Sequence, residues 1–326
     1  MRVFVTGGAG YIGSVGVEKL LAEGHEVVVL DNMRTGQPAS IEPDAIVVQG
    51  DLRNAAELSD ILARIRPDAV VHFAGATIVP ESVSKPDLYY GINTVGGFHL
   101  LEAARAAGVE RFIVSSTAAV YGAPEEMPIV ESTPKHPVSP YGRSKLMFEE
   151  MLEAYAVAYG TRWIAFRYFN VAGATYKHGE DHRPETHLIP NALLAVAERR
   201  PPLDVFGNDY PTPDGTAIRD YVHVEDLIDA HLLGLERIDK VSGPFNLGTT
   251  AGASVAQVID AVEAVTDRPV PRTYHARRAG DPAMLIADAT RARELLGWEP
   301  TRSTLDQMIG SAWDWMERNP DGYGNG

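Results

Sequence analysis

The sequence predicts an α/β fold, in which a doubly wound parallel sheet is followed by a smaller, mixed second domain. Short apolar runs alternate with amphipathic stretches through the first half of the chain, and a glycine-rich turn follows the first run. Strict alternation of strands and helices is typical of a parallel sheet with helices on both faces. After Asn170 the alternation gives way to a segment rich in glycine, proline, histidine and aspartate.

The elements follow from these patterns in chain order. Strands are predicted at Val3–Val5, Val27–Leu30, Ile46–Val48, Ala69–Phe73, Phe112–Ser115, Trp163–Tyr168 and Pro244–Leu247. Helices are predicted at Tyr11–Ala22, from Asp51 through Ile65, and at Gly91–Ala107, Ser139–Tyr159, Pro190–Arg199, Val224–Leu235, 253–266 and 289–296. We therefore expect a first domain over residues 1–170, to which the chain returns around 222–250, and a second domain mainly over 171–326.

Composition limits the partners and the chemistry. The 326 residues are 45% hydrophobic, enough for a full core, and carry a formal net charge of −15. That charge disfavours nucleic acid and anionic membranes as partners, and an anionic metabolite would need cationic groups placed locally. Cysteine is absent, which excludes disulfides and thiolate chemistry. No leader or membrane-spanning apolar run is evident, so we expect a cytoplasmic protein.

The glycine-rich turn predicts a dinucleotide site. Gly7, Gly10 and Gly13 are spaced G-x-x-G-x-x-G between the first strand and the first helix, where backbone N–H groups and the helix N-terminus can hold a pyrophosphate. Asp31 ends the second strand, where an acid can accept the adenosine ribose hydroxyls and disfavour NADP. Asp51 follows the third strand and could bind the adenine amino group. The alternatives are a turn acid at Asp31 and a helix N-cap at Asp51.

A tyrosine and a lysine predict the catalytic group. Tyr141 and Lys145 stand four residues apart on a helix that Pro140 can open, so they share one face. An ammonium beside a phenol lowers the phenol's pKa, so that Tyr141 can act as a base near neutral pH. Thr117 ends the fifth strand and can hold a substrate oxygen. A tyrosine and a lysine also occur at this spacing by chance. The catalytic interpretation is favoured because the glycine turn and Asp31 accompany the pair in the expected order.

Longer motifs resemble a known family. The chain is similar throughout to the extended short-chain dehydrogenase/reductases, and within them to the UDP-galactose 4-epimerases. The similarity rests on the segments Gly7–Ser14, Leu30–Asn32, His72–Gly75, Ser115–Gly122, Tyr168–Asn170, Phe206–Thr216, Arg219–Val224, Asn246–Gly248 and Arg277–Asp281. The segments beyond Asn170 are the more specific and favour an epimerase over a general dehydrogenase.

The resemblance implies a role for each matching residue and a substrate-binding second domain. Thr117, Tyr141 and Lys145 match the catalytic residues. The implied NAD contacts are Gly7, Gly10, Tyr11, Ile12, Gly13, Asp31, Asn32, Asp51, Leu52, Phe73, Ala74, Asn93, Ser115, Tyr141, Lys145 and Tyr168. The implied UDP-sugar contacts are Thr117, Tyr141, Asn170, His187, Leu188, Phe206, Arg219, Arg278, Asp281 and Leu285.

Three positions depart from the family pattern. Thr77 stands where an NAD-contacting lysine is common, His187 where some members have asparagine, and Leu285 where several have a tyrosine beside the hexose. Leu285 predicts a preference for UDP-glucose and UDP-galactose over N-acetylated sugars. The family also implies a homodimer formed through the helices Gly91–Ala107 and Ser139–Tyr159. No metal site is predicted, because the ten histidines show no metal-ligand spacing.

Several functions remain open at this stage. The chain could act on UDP-N-acetylhexosamines or UDP-uronates instead. A dehydratase or decarboxylase would usually carry an acid directly after the catalytic threonine, where Ala118 and Ala119 stand. A catalytically silent dinucleotide sensor would tend to lose the tyrosine or the lysine, and both are present.

Overall fold

A seven-stranded parallel sheet forms the centre of the computed structural model, which describes residues 1–278 and 280–324. Its order is β3-β2-β1-β4-β5-β6-β11, the doubly wound order that the sequence predicts, extended by one strand. The strands of the chain are β1 (Arg2–Thr6), β2 (Glu26–Asp31), β3 (Ile46–Gln49), β4 (Ala69–His72), β5 (Arg111–Thr117), β6 (Arg162–Tyr168), β7 (Asn170–Ala172), β8 (Leu203–Phe206), β9 (Ile218–Arg219), β10 (Tyr221–His223), β11 (Gly243–Leu247), β12 (Ala253–Ser254), β13 (Arg272–His275) and β14 (Met284–Leu285).

Helices cover both faces of this sheet. The α-helices of the described residues are α1 (Tyr11–Ala22), α2 (Ala55–Ile65), α3 (Val79–Ser84), α4 (Pro86–Tyr89), α5 (Gly97–Ala106), α6 (Pro140–Tyr159), α7 (Leu188–Val196), α8 (Val224–Arg237), α9 (Val255–Thr266), α10 (Thr290–Leu296) and α11 (Leu305–Arg318). One apolar layer packs α1 and α8 against the sheet, and the other packs α2, α5 and α6. Because the strands are buried on both faces, they are nearly continuous apolar runs.

The chain returns to the sheet after leaving it. Strand β11 pairs with β6, from Gly243 beside Ile164 to Leu247 beside Tyr168, and α8 packs on α1. The strand order reverses between β1 and β4, and the carboxyl ends of the strands at such a switch point form the usual ligand crevice of this architecture. The fold therefore predicts that ligands bind beside Thr6 and His72, the last residues of these strands.

A second apolar cluster lies in the C-terminal part of the chain. Helices α7, α9 and α11 meet there with β8, around Leu193, Val205, Val258 and Ile309. The short strands pair as β13-β8, β10-β7 and β12-β9-β14. Within residues 1–278 and 280–324, none of the helices combines the length and apolarity needed to cross a bilayer.

Some element bounds differ from the prediction. The helix expected at Gly91–Ala107 begins as a π-helical segment, Tyr90–Gly96, and becomes α-helical only at Gly97. Helix α7 ends at Val196 rather than Arg199, and Glu198 has a positive φ of 56°. Helix α11 was not predicted, although its apolar residues recur at helical spacing. Hydrophobic periodicity thus located the long elements better than their ends.

The C-terminal segment is packed rather than frayed as far as residue 324. The Tyr323 hydroxyl accepts a hydrogen bond from the Gly179 amide at 3.1 Å, and the Tyr323 amide donates to Asp181 at 3.1 Å. The Trp315 indole donates to the Lys177 carbonyl at 3.1 Å, and a side chain on Gly179 would collide with it. The chain end and α11 therefore hold the loop that begins at Lys177.

Candidate active site

The glycine turn forms a tight cradle at the end of β1. Gly7 has a φ of 75°, and a Cβ there would lie 2.5 Å from the Ala74 amide nitrogen. A Cβ on Gly13 would collide with the Gly7 carbonyl oxygen, whereas one on Gly10 would lie 3.5 Å from that oxygen, at ordinary contact distance. Helix α1 begins directly after Gly10, so its free N–H groups face the turn. The cradle fits a dinucleotide pyrophosphate.

Asp31 lies at the end of β2, buried behind the same turn. Its carboxylate accepts hydrogen bonds from the amides of Ala9 at 3.0 Å and Met33 at 2.9 Å. Asp31 therefore does stabilise the glycine turn, as the alternative interpretation of this residue predicted. A carboxylate has about four acceptor sites, which leaves capacity for ribose hydroxyls.

Asn32 and Asp51, expected together in the adenosine site, are in contact. The Asn32 amide donates to the Asp51 carboxylate at 2.9 Å, and the Arg53 guanidinium donates to both Asp51 oxygens at 2.9 and 2.7 Å. Hydrogen bonding from Arg53 holds the pKa of Asp51 well below its usual range. Asn54, not Asp51, caps α2, so the N-cap alternative for Asp51 is wrong. Leu52 is buried beneath the π-helical segment.

The floor of the crevice is the end of β4. The amides of Phe73 and Ala74 both donate to the Thr6 carbonyl, at 2.9 and 3.0 Å, which fixes this turn beside β1. The buried Asn93 accepts from the Ala76 amide at 2.8 Å and donates to the Ala76 carbonyl at 3.0 Å. Its amide is thus engaged in positioning the turn, in addition to any contact with a cofactor.

Three other expected cofactor residues surround this floor. The Tyr11 hydroxyl donates to the Gly173 carbonyl at 2.5 Å and so ties α1 to the loop after β7. Ile12 packs between two apolar clusters. The Tyr168 hydroxyl lies 2.6 Å from Nε2 of the buried His231.

Tyr141 and Lys145 are buried on the first turns of α6. Pro140 opens this helix, and the Ser139 side chain caps it by accepting from the Gly142 amide at 3.1 Å. The Tyr141 phenol is close enough to Thr117 for that side chain to influence its pKa, and the Lys145 ammonium donates to the Ser115 carbonyl at 3.0 Å. The structure therefore brings together the two strand-end residues of β5 and the two helix residues that the sequence singled out.

Burial dominates the ionisation of this pair. It raises the pKa of the Tyr141 phenol, which the influence of Thr117 only partly offsets, and it lowers the pKa of Lys145 to about 8. The expected lowering of the tyrosine pKa by Lys145 is therefore not what governs the ionisation of the phenol. Additional positive charge near the phenol, as an oxidised nicotinamide would bring, favours its anionic form.

A buried ion pair close to Tyr141 and Lys145 was not predicted from the sequence. Nη2 of Arg167, on β6, lies 2.6 Å from Oε2 of Glu149, on α6, and both side chains are at most 5% exposed. Ser116, between Ser115 and Thr117, donates to the same carboxylate. Glu149 stands four residues after Lys145, and this helical spacing was the available signal.

The expected substrate residues are already engaged with one another. The Arg219 guanidinium is paired with the Asp281 carboxylate, and the Arg278 guanidinium lies 3.9 Å from the centroid of the Phe206 ring. The Asn170 amide donates to the Asp220 carbonyl at 2.9 Å. Arg219 thus pairs with a residue only three positions after Arg278 in the chain, and guanidinium groups of this kind suit diphosphate oxygens.

His187 and Leu188 mark the start of α7, where the loop from Lys177 ends. His187 is the N-cap residue, but its imidazole is paired with the Glu180 carboxylate instead of capping the helix. This contact raises the pKa of His187 to about 9. The same loop brings His182 and Glu185 to this point, so that four metal-ligating side chains converge. The sequence analysis predicted no metal site, and the convergence of these four side chains is a feature that histidine spacing did not indicate.

Leu285 lies on β14 beside Arg219 of β9. It packs, half-buried, in an apolar cluster with Ala118, which directly follows Thr117, and with Phe169. This side chain therefore connects the substrate strand to the catalytic strand end. Thr77 is exposed and lies away from these contacts.

The fold and the site together define the class of protein. The site combines a glycine cradle, an acid at the end of β2 and a buried tyrosine–lysine pair at one switch point. This combination is typical of a dinucleotide-dependent enzyme that acts on an alcohol carbon. The model of the NAD dependent epimerase/dehydratase family matches residues 3–248, and the chain belongs to that family.

Individual relatives are similar over the whole chain. A UDP-glucose 4-epimerase of Lacticaseibacillus casei is 47% identical, over 100% of this chain and 99% of the relative. The crystal structure of a UDP-glucose 4-epimerase from Brucella ovis in complex with NAD is 44% identical, with a TM-score of 0.93 over 96% of this chain and 97% of that one. One from Bifidobacterium longum, in complex with NAD+ and UDP, is 38% identical, with a TM-score of 0.94 over 99% and 100%.

Proposed function

We propose that the chain interconverts UDP-glucose and UDP-galactose by NAD-dependent inversion of configuration at C4. The observation that carries the proposal is the burial of Tyr141 and Lys145 together against the end of β5, where the Lys145 ammonium donates to the Ser115 carbonyl, in a fold whose first strand ends in the glycine cradle. The named activity of the full-length relatives supports the same reaction.

The proposed roles follow from the chemistry of each side chain. Tyr141 takes the proton of the sugar 4-hydroxyl, Thr117 holds the oxygen, and Lys145 stabilises the phenolate by its charge. Bound NAD supplies a reversible hydride acceptor for C4. Arg219 and Arg278 hold the diphosphate, so that the 4-keto sugar can turn and present its other face while UDP stays anchored.

Rival reactions have less support in this chain. Ala118 and Ala119, which follow Thr117 in a short 3₁₀ turn, offer no acid that could move a proton at C5 or C6 of a sugar. A silent sensor would have no need of a buried, capped Tyr141–Lys145 pair. The choice among UDP-hexoses, UDP-N-acetylhexosamines and UDP-uronates depends on the residues around Leu285, which packs in an apolar cluster.

The experiment is to incubate purified protein with UDP-galactose, without added NAD, and follow the anomeric protons by NMR. We expect UDP-glucose to appear until the two sugars reach equilibrium, because the cofactor must stay bound for the hydride to return. Chromatography of the denatured protein should then release NAD(H). Loss of UDP-galactose to a keto or decarboxylated product, or NADP(H) as the main nucleotide, would contradict the proposal.

A division of labour between the two parts of the chain belongs to this proposal. Residues 1–170, with the return at 222–250, hold NAD, and residues 171–326 mainly hold the UDP-sugar. The clustering of Arg219, Asp281 and Phe206 beyond residue 171 supports the second half of this statement.

We also propose a homodimer, formed by α5 and α6. Most apolar side chains of these helices pack on the sheet. Several others, on the helices and on the preceding π-helical segment, are exposed: Val95, Phe98, Met147 and Val157. Light scattering at micromolar concentration should give a mass twice that of one chain. The Phe98→Glu variant should give the mass of a single chain.

A cytoplasmic location also belongs to the proposal, and cell fractionation tests it.

A further inference from the structure

The loop before α7 gathers four metal-ligating side chains within one small volume. Nδ1 of His182 lies 2.9 Å from Oε1 of Glu180 and 3.8 Å from Oε2 of Glu185. Nδ1 of His187 lies 3.6 Å from Oε1 of Glu185 and also contacts the Glu180 carboxylate. All four donor atoms lie within 4.8 Å of one another.

These separations match a small tetrahedral site. Zinc binds imidazole nitrogen and carboxylate oxygen at about 2.0–2.2 Å, which places tetrahedral ligands about 3.3–3.6 Å apart. The distances above scatter around that edge length, so only small side-chain movements are needed to surround an ion. The side chains of Glu180 and Glu185 are 7% and 8% exposed, whereas those of His182 and His187 are 33% and 52% exposed. The carboxylates thus form the floor of the site and the imidazoles its open side.

The charge of the cluster also favours a cation. In the described part of the chain, the ion pairs of Glu180 and Glu185 are made with the two histidines, and neither carboxylate pairs with a lysine or an arginine. Two buried carboxylates that face each other cost free energy unless positive charge lies between them. The two histidines supply that charge when they are protonated, and a metal ion would replace their protons. A second group of acids nearby is different, because Nζ of Lys177 lies 2.9 and 3.0 Å from the two oxygens of Glu42 and already supplies that charge.

We propose that Glu180, His182, Glu185 and His187 bind one divalent transition-metal ion, with Zn²⁺ as the best match. Two imidazole nitrogens disfavour Mg²⁺ and Ca²⁺, which prefer all-oxygen sites, and the absence of thiolates disfavours softer ions. Four protein ligands are the signature of a structural rather than a catalytic zinc site. With four protein ligands the ion has no open position for a substrate, so we assign it no step in the proposed reaction, although His187 is also one of the implied UDP-sugar contacts.

The location gives the ion a structural purpose. The His182 ring makes an edge-on contact with Tyr11, the first residue of α1 beside the glycine cradle, with ring centroids 6.2 Å apart. His187 immediately precedes Leu188, the first residue of α7 on the substrate side. A bound ion would therefore fix the loop that joins the cofactor helix to the substrate helix.

The test uses the full chain after treatment with a chelator and desalting. Zn²⁺ content is measured by elemental mass spectrometry after re-addition and dialysis, and affinity is measured against a chromophoric competitor. Co²⁺ is titrated in parallel, because four-coordinate Co²⁺ gives much stronger visible absorption than the six-coordinate ion. We expect one Zn²⁺ per chain, intense Co²⁺ bands, and an affinity weakened roughly 100-fold or more in Glu185→Gln and in His182→Gln, since outer-shell changes alone cost 10–100-fold.

Glu42→Gln is the matched control, because it alters a buried carboxylate of the neighbouring acid group. Its Zn²⁺ content and affinity should equal those of the unmodified chain, and circular dichroism should show all three variants folded. If a variant does not fold, the Co²⁺ spectrum of the unmodified chain decides alone. The proposal is overturned if that chain retains no stoichiometric Zn²⁺, if its Co²⁺ spectrum is that of a six-coordinate ion, or if Glu42→Gln abolishes binding while Glu185→Gln does not.

Discussion

The cofactor side and the substrate side of the candidate site hold their residues in different ways. On the cofactor side, backbone groups and strand ends fix the geometry: Asp31 accepts two amides, and Phe73 and Ala74 donate to the Thr6 carbonyl. On the substrate side, long side chains from separate loops hold one another, as Arg219 does with Asp281. The first arrangement is preorganised, whereas the second must exchange partners when an anionic ligand binds.

This difference predicts that substitutions on the two sides affect different quantities. Changes at the catalytic strand and helix should reduce turnover or stability with little effect on UDP affinity. Changes on the substrate side should alter apparent affinity or selectivity and leave turnover largely intact. The four substitutions that follow test this division.

Tyr141→Phe should have the largest effect. It removes the hydroxyl that lies close to Thr117, and general-base catalysis is commonly worth about 100- to 10,000-fold, so we expect kcat to fall by that factor. The affinity for UDP, measured by calorimetry, should stay within a fewfold of the unmodified protein. Turnover close to the original value would show that another group is the base.

Glu149→Gln should mainly lower stability. It leaves the Arg167 guanidinium buried and without its carboxylate partner, and breaking a buried pair in this way typically costs about 3–5 kcal/mol. Urea unfolding followed by fluorescence measures the loss. The double change Glu149→Gln with Arg167→Met removes both charges and should restore much of the stability. If the single change alone is neutral, the pair does not hold β6 to α6.

Arg278→Ala should raise KM and spare kcat. A hydrogen bond to a charged group is worth about 1.5–3 kcal/mol, so KM for UDP-galactose should rise roughly 10- to 150-fold. Arg278→Lys keeps the charge but loses the planar fork and the stacking on Phe206, and it should recover only part of the affinity. Steady-state kinetics separate the two constants, and a fall in kcat with unchanged KM would contradict the division between the two sides.

Leu285→Ser should have the smallest effect, on selectivity alone. The unmodified chain should favour UDP-galactose over UDP-N-acetylgalactosamine by about 10- to 200-fold in kcat/KM, because an apolar side chain crowds the acetamido group and leaves it unpaired. The serine variant should narrow that ratio, and Leu285→Met, of similar volume, should not. If the unmodified chain had equal kcat/KM for the two sugars, Leu285 would not determine the selectivity.

The same contrast explains what the sequence could predict. Apolar periodicity and the glycine turn located β1, α1, β2 and the tyrosine–lysine helix, because local spacing encodes them. The partner of Arg219 lies 62 residues away and that of His187 lies across an irregular loop, and spacing carries no signal for such contacts. The four-ligand cluster was missed for this reason, because its members converge only through the loop that α11 and Tyr323 hold in place.

The packing of Trp315 makes its fluorescence an intrinsic probe of the neighbouring loop. This indole lies against Gly179, donates to the Lys177 carbonyl and stands 5.2 Å, between ring centroids, from Tyr323. Its emission therefore depends on the packing of the loop that leads to His187. The other three tryptophans are Trp163, Trp298 and Trp313, the last of them also on α11. Their replacement by phenylalanine would leave a fluorescence signal that follows this loop in real time as ligands bind.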